Sequence, residues 1–261
     1  MKVSYDLIKD RRDNIMRLIQ KIGKIDIEML INEFNVSDIT IRRDLQYWED
    51  KGAIIRYRGG AKLSQPMVDH SELISSNEKY KHAIAKYAAQ FVKQGDTIFI
   101  NSSSTAILLL KYIVNKRVNI ITNNAKAVHI EHDPLVSIHL TGGELRFPKE
   151  VMVGDFALNN LTKITASKTF IGCSGLDLSH GITTAILQEV AINECMINHT
   201  SGKVFVLADY TKIGAQYPFK TSDINRIDYL ITDINADEQV CSDLKDSNIE
   251  VVKLSPLENI K

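Results

Sequence analysis

The chain has 261 residues, 44% of them hydrophobic and 25% charged, with no formal net charge at neutral pH; that is room for two domains, each with a core. No run approaches the roughly 18 consecutive apolar residues of a membrane span, and the charged N-terminus lacks the apolar stretch of a signal peptide. A cytoplasmic protein with no membrane partner is expected. Cys173, Cys195 and Cys241 have no C-x-x-C spacing, so reduced structural thiols are expected. No Cys/His cluster has metal-site spacing.

Zero net charge argues against a nucleic-acid partner, but the charge is unevenly placed. Residues 1–63 hold 13 basic and 10 acidic residues, a surplus of +3 that the remainder balances with −3. In this segment Ile8, Ile15, Leu18, Ile19 and Ile22 mark an amphipathic helix from Asp6 to about Ile22, ended by Gly23. A second helix is predicted over 27–34, with Leu30, Ile31 and Phe34 inward. Asn35-Val36-Ser37 breaks the chain, and Ser37 is a good N-cap for a third helix running to about Asp50. Gly52 closes it, and 53–60 reads as a β-rich stretch ending in a Gly-Gly turn. Three helices and a hairpin make a winged helix-turn-helix.

The third helix divides by face. Ile41, Leu45 and Trp48 form an apolar stripe; Ile39, Arg43, Gln46 and Tyr47 lie opposite, flanked by Thr40 and Arg42. A recognition helix needs this division, one stripe to hold it and a polar, basic face for the major groove. Arg42 and Arg43 suit guanine or phosphate, Gln46 suits adenine, and Ile39 suits a thymine methyl. Arg56 and Arg58, on the wing, suit phosphates or the adjoining minor groove. Asp44 is too acidic to face phosphate and should pair with an arginine inside the domain. The bland alternative is a three-helix interaction module with solvated arginines.

Residues 64–77 are polar and poorly periodic, and read as a linker. Beyond them helices (78–93, 105–114, 125–131, 155–163, 185–199, 237–245) alternate with strands (97–100, 118–122, 136–141, 167–172, 203–208, 228–232, 249–253). The alternation predicts an α/β domain over 78–261 with a mostly parallel sheet covered on both faces. Four polar loops fall at carboxyl ends of predicted strands: Asn101-Ser102-Ser103-Ser104-Thr105, Thr122-Asn123-Asn124, Thr141-Gly142-Gly143-Glu144 and Asp209-Tyr210-Thr211-Lys212. Ligands of open α/β sheets collect there, and hydroxyls, backbone N–H groups and Lys212 suit a small phosphorylated polyol. There is no G-x-G-x-x-G, so no nicotinamide cofactor is expected.

The run Val36-Ser37-Asp38-Ile39-Thr40-Ile41-Arg42-Arg43-Asp44-Leu45, with Arg56-Tyr57-Arg58-Gly59-Gly60-Ala61, closely resembles the N-terminal module of the DeoR family of bacterial transcriptional regulators. Loop 101–105, Thr141-Gly142-Gly143, the stretch from Phe170 through Asp177, Gly181-Ile182-Thr183-Thr184 with Glu189, and Ala208 through Lys212 resemble that family's effector domain, which looks like the sugar-isomerase fold of ribose-5-phosphate isomerase. The resemblance implies a repressor of carbohydrate-metabolism genes that a phosphorylated sugar releases from a double-stranded DNA operator. It adds Asp177 and Glu189 to the candidate effector-binding residues. The family's first loop usually reads D-x-G-[ST]-T; here Asn101 replaces the acid and Ser103 the glycine. Repeated half-sites call for a homo-oligomer. The rival reading is a sugar-phosphate isomerase with a DNA-binding appendage. It would need a base over a C–H bond, and the stretch Gly172-Cys173-Ser174-Gly175 offers too few carboxylates, so no catalytic residue is assigned.

Overall fold

The computed structural model describes residues 5–50, 53–57, 59–63, 70–147 and 149–259. The chain divides into two compact units, Met1–Leu73 and Ile74–Lys261. The first holds α1 (Tyr5–Ile22), β1 (Lys24–Asp26), α2 (Ile27–Phe34), α3 (Asp38–Asp50), β2 (Ile54–Tyr57) and β3 (Gly60–Leu63). Asn35 ends α2 at a left-handed φ of 48°, which asparagine tolerates better than most residues. Ser37 Oγ accepts from the Thr40 backbone N–H at 3.3 Å and starts α3. Ile15, Ile19, Leu30, Ile41 and Leu45 are fully buried against Ile25, Ile54 and Ala61 of the antiparallel sheet β1-β3-β2. The strand β1 was not expected: three residues with one buried side chain carry too little period to be read.

Asp44 sits inside this core at 1% exposure. Its Oδ2 accepts from Arg11 Nε at 2.6 Å and its Oδ1 from Arg12 Nε at 2.8 Å, so the expected arginine partners come from α1 rather than from α3 itself. Arg12 also lies 4.2 Å over the Tyr47 ring, and its carbonyl accepts from Trp48 Nε1 at 2.9 Å. One turn of α1 therefore fixes the rotation of α3 about its own axis.

The second unit holds α4 (His70–Ala88) from Ile74 onward, prolonged by a 3₁₀ turn at Ala89–Phe91, then β4 (Thr97–Ile100), β5 (Val118–Thr122) and β6 (Val136–Leu140). A hairpin of β7 (Glu144–Arg146) and β8 (Val151–Val153) precedes α5 (Asp155–Leu161) and β9 (Ala166–Ile171). β10 (Gly175–Asp177), β11 (Gly181–Thr184), α6 (Leu187–Asn198), β12 (Thr200–Leu207), β13 (Phe219–Ser222), β14 (Tyr229–Asp233), α7 (Glu238–Asp246) and β15 (Glu250–Leu254) follow. Seven strands form one parallel sheet in the order β15-β14-β12-β9-β4-β5-β6, while β10-β11-β13 and β7-β8 are small antiparallel sheets.

Alternate side chains of the large sheet enter opposite cores. Ile98, Ile100, Phe170, Phe205 and Ile231 face α4 and the 3₁₀ segment Ala106–Lys111. Phe99, Ile171, Val204, Val206 and Leu230 face α5, α6 and α7. Phe170, Phe205 and Tyr229 are cross-strand neighbours whose rings stack at 4.7 Å, a ladder across β9, β12 and β14. Among the described residues no helix is long and apolar enough to cross a membrane.

Three expectations change. Helix α4 starts at His70, so residues 70–77 of the predicted linker are helical; 64–69 lie outside the described residues. The predicted helix 105–114 is a 3₁₀ segment, Ala106–Lys111. Its buried residues Ala106, Ile107, Leu109 and Leu110 repeat every three positions, the 3₁₀ period. The predicted helix 125–131 is likewise 3₁₀, Ala125–His129.

Trp48 is the sole tryptophan, so its emission reports the first unit alone. Replacing Asp44 by Ala leaves two arginines without their buried acceptor. Urea unfolding of the full chain followed by Trp48 fluorescence should show this unit destabilised by about 3 kcal/mol. An unchanged midpoint would remove Asp44 from the fold's support.

Candidate nucleic-acid interface and ligand crevice

The solvent face of α3 begins at Ile39, 64% exposed. Arg42 and Arg43 are exposed beside it. Arg42 Nε pairs with Asp38 Oδ1 at 2.8 Å, one helical turn away, with both side chains about half in solvent; such a pair is worth little and yields readily. Arg43 makes no hydrogen bond or ion pair among the described residues. Ser37 and Thr40 share a hydroxyl hydrogen bond of 2.9 Å. Gln46 and Tyr47 are half-buried. The Gln46 Oε1 accepts from Arg56 Nη2, and the Tyr47 ring underlies Arg12. Arg56 is drawn onto Glu49, Nε to Oε2 at 2.7 Å. Arg58 lies outside the described residues.

In the large sheet the chain runs from β4 through β5 to β6 on one side, then returns to β9 and continues through β12 to β15 on the other. The switch point is the crevice between the carboxyl ends of β4 and β9, where open α/β sheets bind ligands. Asn101, directly after β4, crosses it. Its Nδ2 donates to the Gly172 carbonyl at 2.9 Å, and its Oδ1 accepts from the Gly172 N–H at 3.0 Å and the Ser103 N–H at 3.2 Å. Asn193 Oδ1 on α6 accepts a further Nδ2 bond at 3.2 Å. Ser103 Oγ accepts from the N–H groups of Thr105 and Ala106 at 3.1 and 3.2 Å. A Cβ at Gly172 would lie 2.0 Å from Ser103 Oγ and 2.4 Å from Ser103 Cβ; only glycine fits.

Glu189, 7% exposed, closes this cluster from α6. It accepts from Ser102 Oγ at 3.2 Å and Thr184 Oγ1 at 3.0 Å, and Lys149 Nζ stands 3.6 Å away. Thr105 is buried, while Ser104 has no side-chain hydrogen bond among the described residues.

Asn123 and Asn124 follow β5 and are buried. Asn123 Nδ2 donates to the Met152 carbonyl at 3.2 Å, but its Oδ1 has no partner among the described residues. Asn124 Oδ1 caps the next 3₁₀ turn through the Lys126 N–H at 3.1 Å. The β6 loop joins the same edge, since the Thr141 N–H donates to the Thr122 carbonyl at 3.0 Å. Gly142 and Gly143 turn it with φ of 72° and 102°; a Cβ at Gly143 would stand 2.5 Å from the Val153 carbonyl oxygen.

Two candidates remain, Asp177 and Lys212. Asp177 Oδ1 accepts from the Ser179 and His180 N–H groups at 2.7 and 2.8 Å and pairs with the His180 ring, so its carboxylate serves its own turn. Lys212 follows β12, within electrostatic reach of Cys173; its charge favours the thiolate there, but burial dominates and pushes the thiol up to about 12. That favours the protonated thiol at neutral pH.

Lys149 and Asn193 were not foreseen. Asn193 stands four residues after Glu189 on one helix, a spacing that puts both on one face. Lys149 gave no signal, because the β7–β8 hairpin was itself unread.

The family of the DeoR-like helix-turn-helix domain matches residues 11–66, and that of the DeoR C terminal sensor domain matches residues 76–234. The chain belongs to the DeoR family. It is a DNA-binding transcriptional regulator. The HTH-type transcriptional regulator GolR of Listeria innocua is 30% identical to this DeoR-family chain over 247 residues, 93% of the chain and 97% of GolR. The lactose phosphotransferase system repressor of Staphylococcus aureus is 29% identical over 238 residues, 88% of this chain and 94% of that repressor. Ribose 5-phosphate isomerase A of Methanocaldococcus jannaschii aligns over 52% of this chain and 55% of its own at 18% identity and a TM-score of 0.37, a likeness too slight to carry an argument.

Gly172→Ala should push Ser103 out of the crevice and destabilise the larger unit by about 1–3 kcal/mol in calorimetry. Adding Ser103→Gly removes both clashing atoms. The double variant should then be more stable than Gly172→Ala alone; a double variant as weak as the sum of its parts would deny the contact.

Proposed function

We propose that this regulator represses carbohydrate-metabolism genes and leaves its operator when a phosphorylated sugar fills the crevice between β4 and β9. The observation that carries the reading is Asn101. A neutral amide, rather than a carboxylate, joins the two crevice loops at the switch point. Ser102, Ser103, Ser104 and Thr105 supply hydroxyls and backbone N–H groups, and Lys212 and Lys149 supply charge. The unpartnered Asn123 Oδ1 and the Glu189 carboxylate are acceptors for sugar hydroxyls. Gly142 and Gly143 let the β6 loop approach closely. Asp177 supports the wall rather than the ligand. The Staphylococcus aureus relative, a repressor of the lactose phosphotransferase system, agrees with a role in carbohydrate metabolism.

Binding without turnover is the better reading than isomerisation. Aldose–ketose chemistry needs a free base. Glu189 is tied by two hydroxyls and a lysine, Asp177 by its own turn, and Cys173 is a half-buried thiol whose desolvation favours the protonated form. On the DNA side, Ile39, Arg42 and Arg43 form the exposed reading edge of α3, with Ser37, Thr40 and Tyr47 around it and Arg58 on the wing for phosphates. One head buries modest area, so a homo-oligomer presenting two heads to repeated half-sites is proposed.

Selection of bound DNA from a random pool, with and without a panel of phosphorylated sugars, tests both halves. One panel member should abolish recovery of the selected sequence while its unphosphorylated counterpart does not; no effect from any would sink the sensor reading. Arg43→Ala should lose about 1–3 kcal/mol at one base pair if it reads a base, or lower the salt slope by about one unit if it grips a phosphate. No change in either would remove Arg43 from the interface.

A further inference from the structure

The half-buried end of the reading face carries a second piece of chemistry. Gln46 and Glu49 are three residues apart on α3 and converge on Arg56 of β2. Arg56 Nε donates to Glu49 Oε2 at 2.7 Å, the Arg56 backbone N–H donates to Glu49 Oε1 at 3.1 Å, and Arg56 Nη2 donates to Gln46 Oε1. The Arg56 guanidinium holds the Glu49 carboxyl below its ordinary range, and the Gln46 amide adds to this in the same direction. The Gln46 carbonyl is thus directed at the wing, while Glu49, beside it on the same helix, grips the same arginine.

Reading adenine needs both ends of a glutamine amide at once, the carbonyl accepting from N6–H and the NH₂ donating to N7. Here the carbonyl holds a guanidinium N–H and the NH₂ leans toward a carboxylate. Turning the amide to a base would break charge-assisted bonds, about twice as strong as neutral ones. Arg56 is in turn neutralised by Glu49, so it brings no net positive charge to the DNA and displaces few counterions.

We propose that Gln46 is a positioning residue rather than a base reader: with Glu49 it clamps Arg56, fixing the wing strand against the recognition helix and leaving base discrimination to Ile39, Arg42 and Arg43. This rests on the DNA-reading proposal above, and it reassigns two residues that the sequence had placed on DNA.

The test uses the full-length protein and the DNA that the wild type selects. Gln46→Ala should weaken binding to all sequences alike, by about tenfold for a lost charged hydrogen bond, with the base preference at every position kept. Arg56→Ala should weaken binding without changing the salt slope. The exchange Gln46→Glu with Glu49→Gln keeps an amide and a carboxylate around Arg56, and should restore affinity to within about threefold of wild type, a residual below 1 kcal/mol. If Gln46→Ala or the exchange flattens a preference at one A·T pair, Gln46 reads that base and the proposal fails. If Arg56→Ala lowers the slope by about one unit, Arg56 grips a phosphate and the clamp fails with it. Hydrogen exchange of the wing amides without DNA separates this from the wider reading. Faster exchange in Gln46→Ala, reversed in the exchange variant, supports the clamp even if the wild type selects no sequence; equal exchange in all three overturns it.

Discussion

A parallel sheet that reverses its direction of growth leaves one crevice that its own connections do not cover, and in this chain a single amide closes it. β4 is laid down first, β5 and β6 extend one way, and β9 begins the other half. Asn101 and Gly172 then face each other across the gap, each donating to the other. Because Gly172 has no Cβ, the Ser103 side chain occupies the space and turns its oxygen to the N–H groups of Thr105 and Ala106. Loop shape, glycine and the tight winding of the following segment are thus one arrangement, and Glu189 and Asn193 from α6 hold its far side.

The smaller unit uses a charge where the larger uses an amide. Asp44 is buried among aliphatic side chains, and only the paired Arg11 and Arg12 make that tolerable. The bonds orient α3 so that Ile39, Arg42 and Arg43 share the exposed edge. In sequence Gln46 reads as a member of the recognition face and Asp44 as a residue paired inside the domain, while Glu49 is assigned no role. In the fold each one points at an arginine of another element. On α3 itself the arginines that face outward, Arg42 and Arg43, lie in its first two turns, the part of a recognition helix that meets base edges.

How far the sequence could be read followed the strength of its period. The strands at 97–100 and 118–122 and the helix at 27–34 were legible to the residue, because each buries a regular run with clear punctuation. Three-residue strands were not: β1, β7, β8 and β10 bury too few side chains to show alternation. Missing the β7–β8 hairpin hid Lys149, although Gly143 marked its approach. Buried, closely repeated apolar residues at 106–110 look like an α-helix until the sheet dictates a three-residue period. Ser102, Ser103 and Asn123 were legible through their placement at strand ends, whereas Glu189, inside α6, and Asp177 came only with the resemblance; the Asp177 carboxylate is bonded within its own turn.

The replacement of an acid by Asn101 is best understood from the bonds it makes. A carboxylate at 101 could accept from the Gly172 and Ser103 N–H groups, but it could not donate to the Gly172 carbonyl, 2.9 Å from Nδ2. Nor could it donate to Asn193, which would have to present its own NH₂ instead. The amide satisfies both sides of the gap and leaves it uncharged. Ser103, standing where a glycine is usual, is compatible with this because Gly172 yields the volume its side chain needs. The two departures are therefore coupled. Together they give a join made by neutral groups, with the Ser103 side chain filling the volume that Gly172 leaves open.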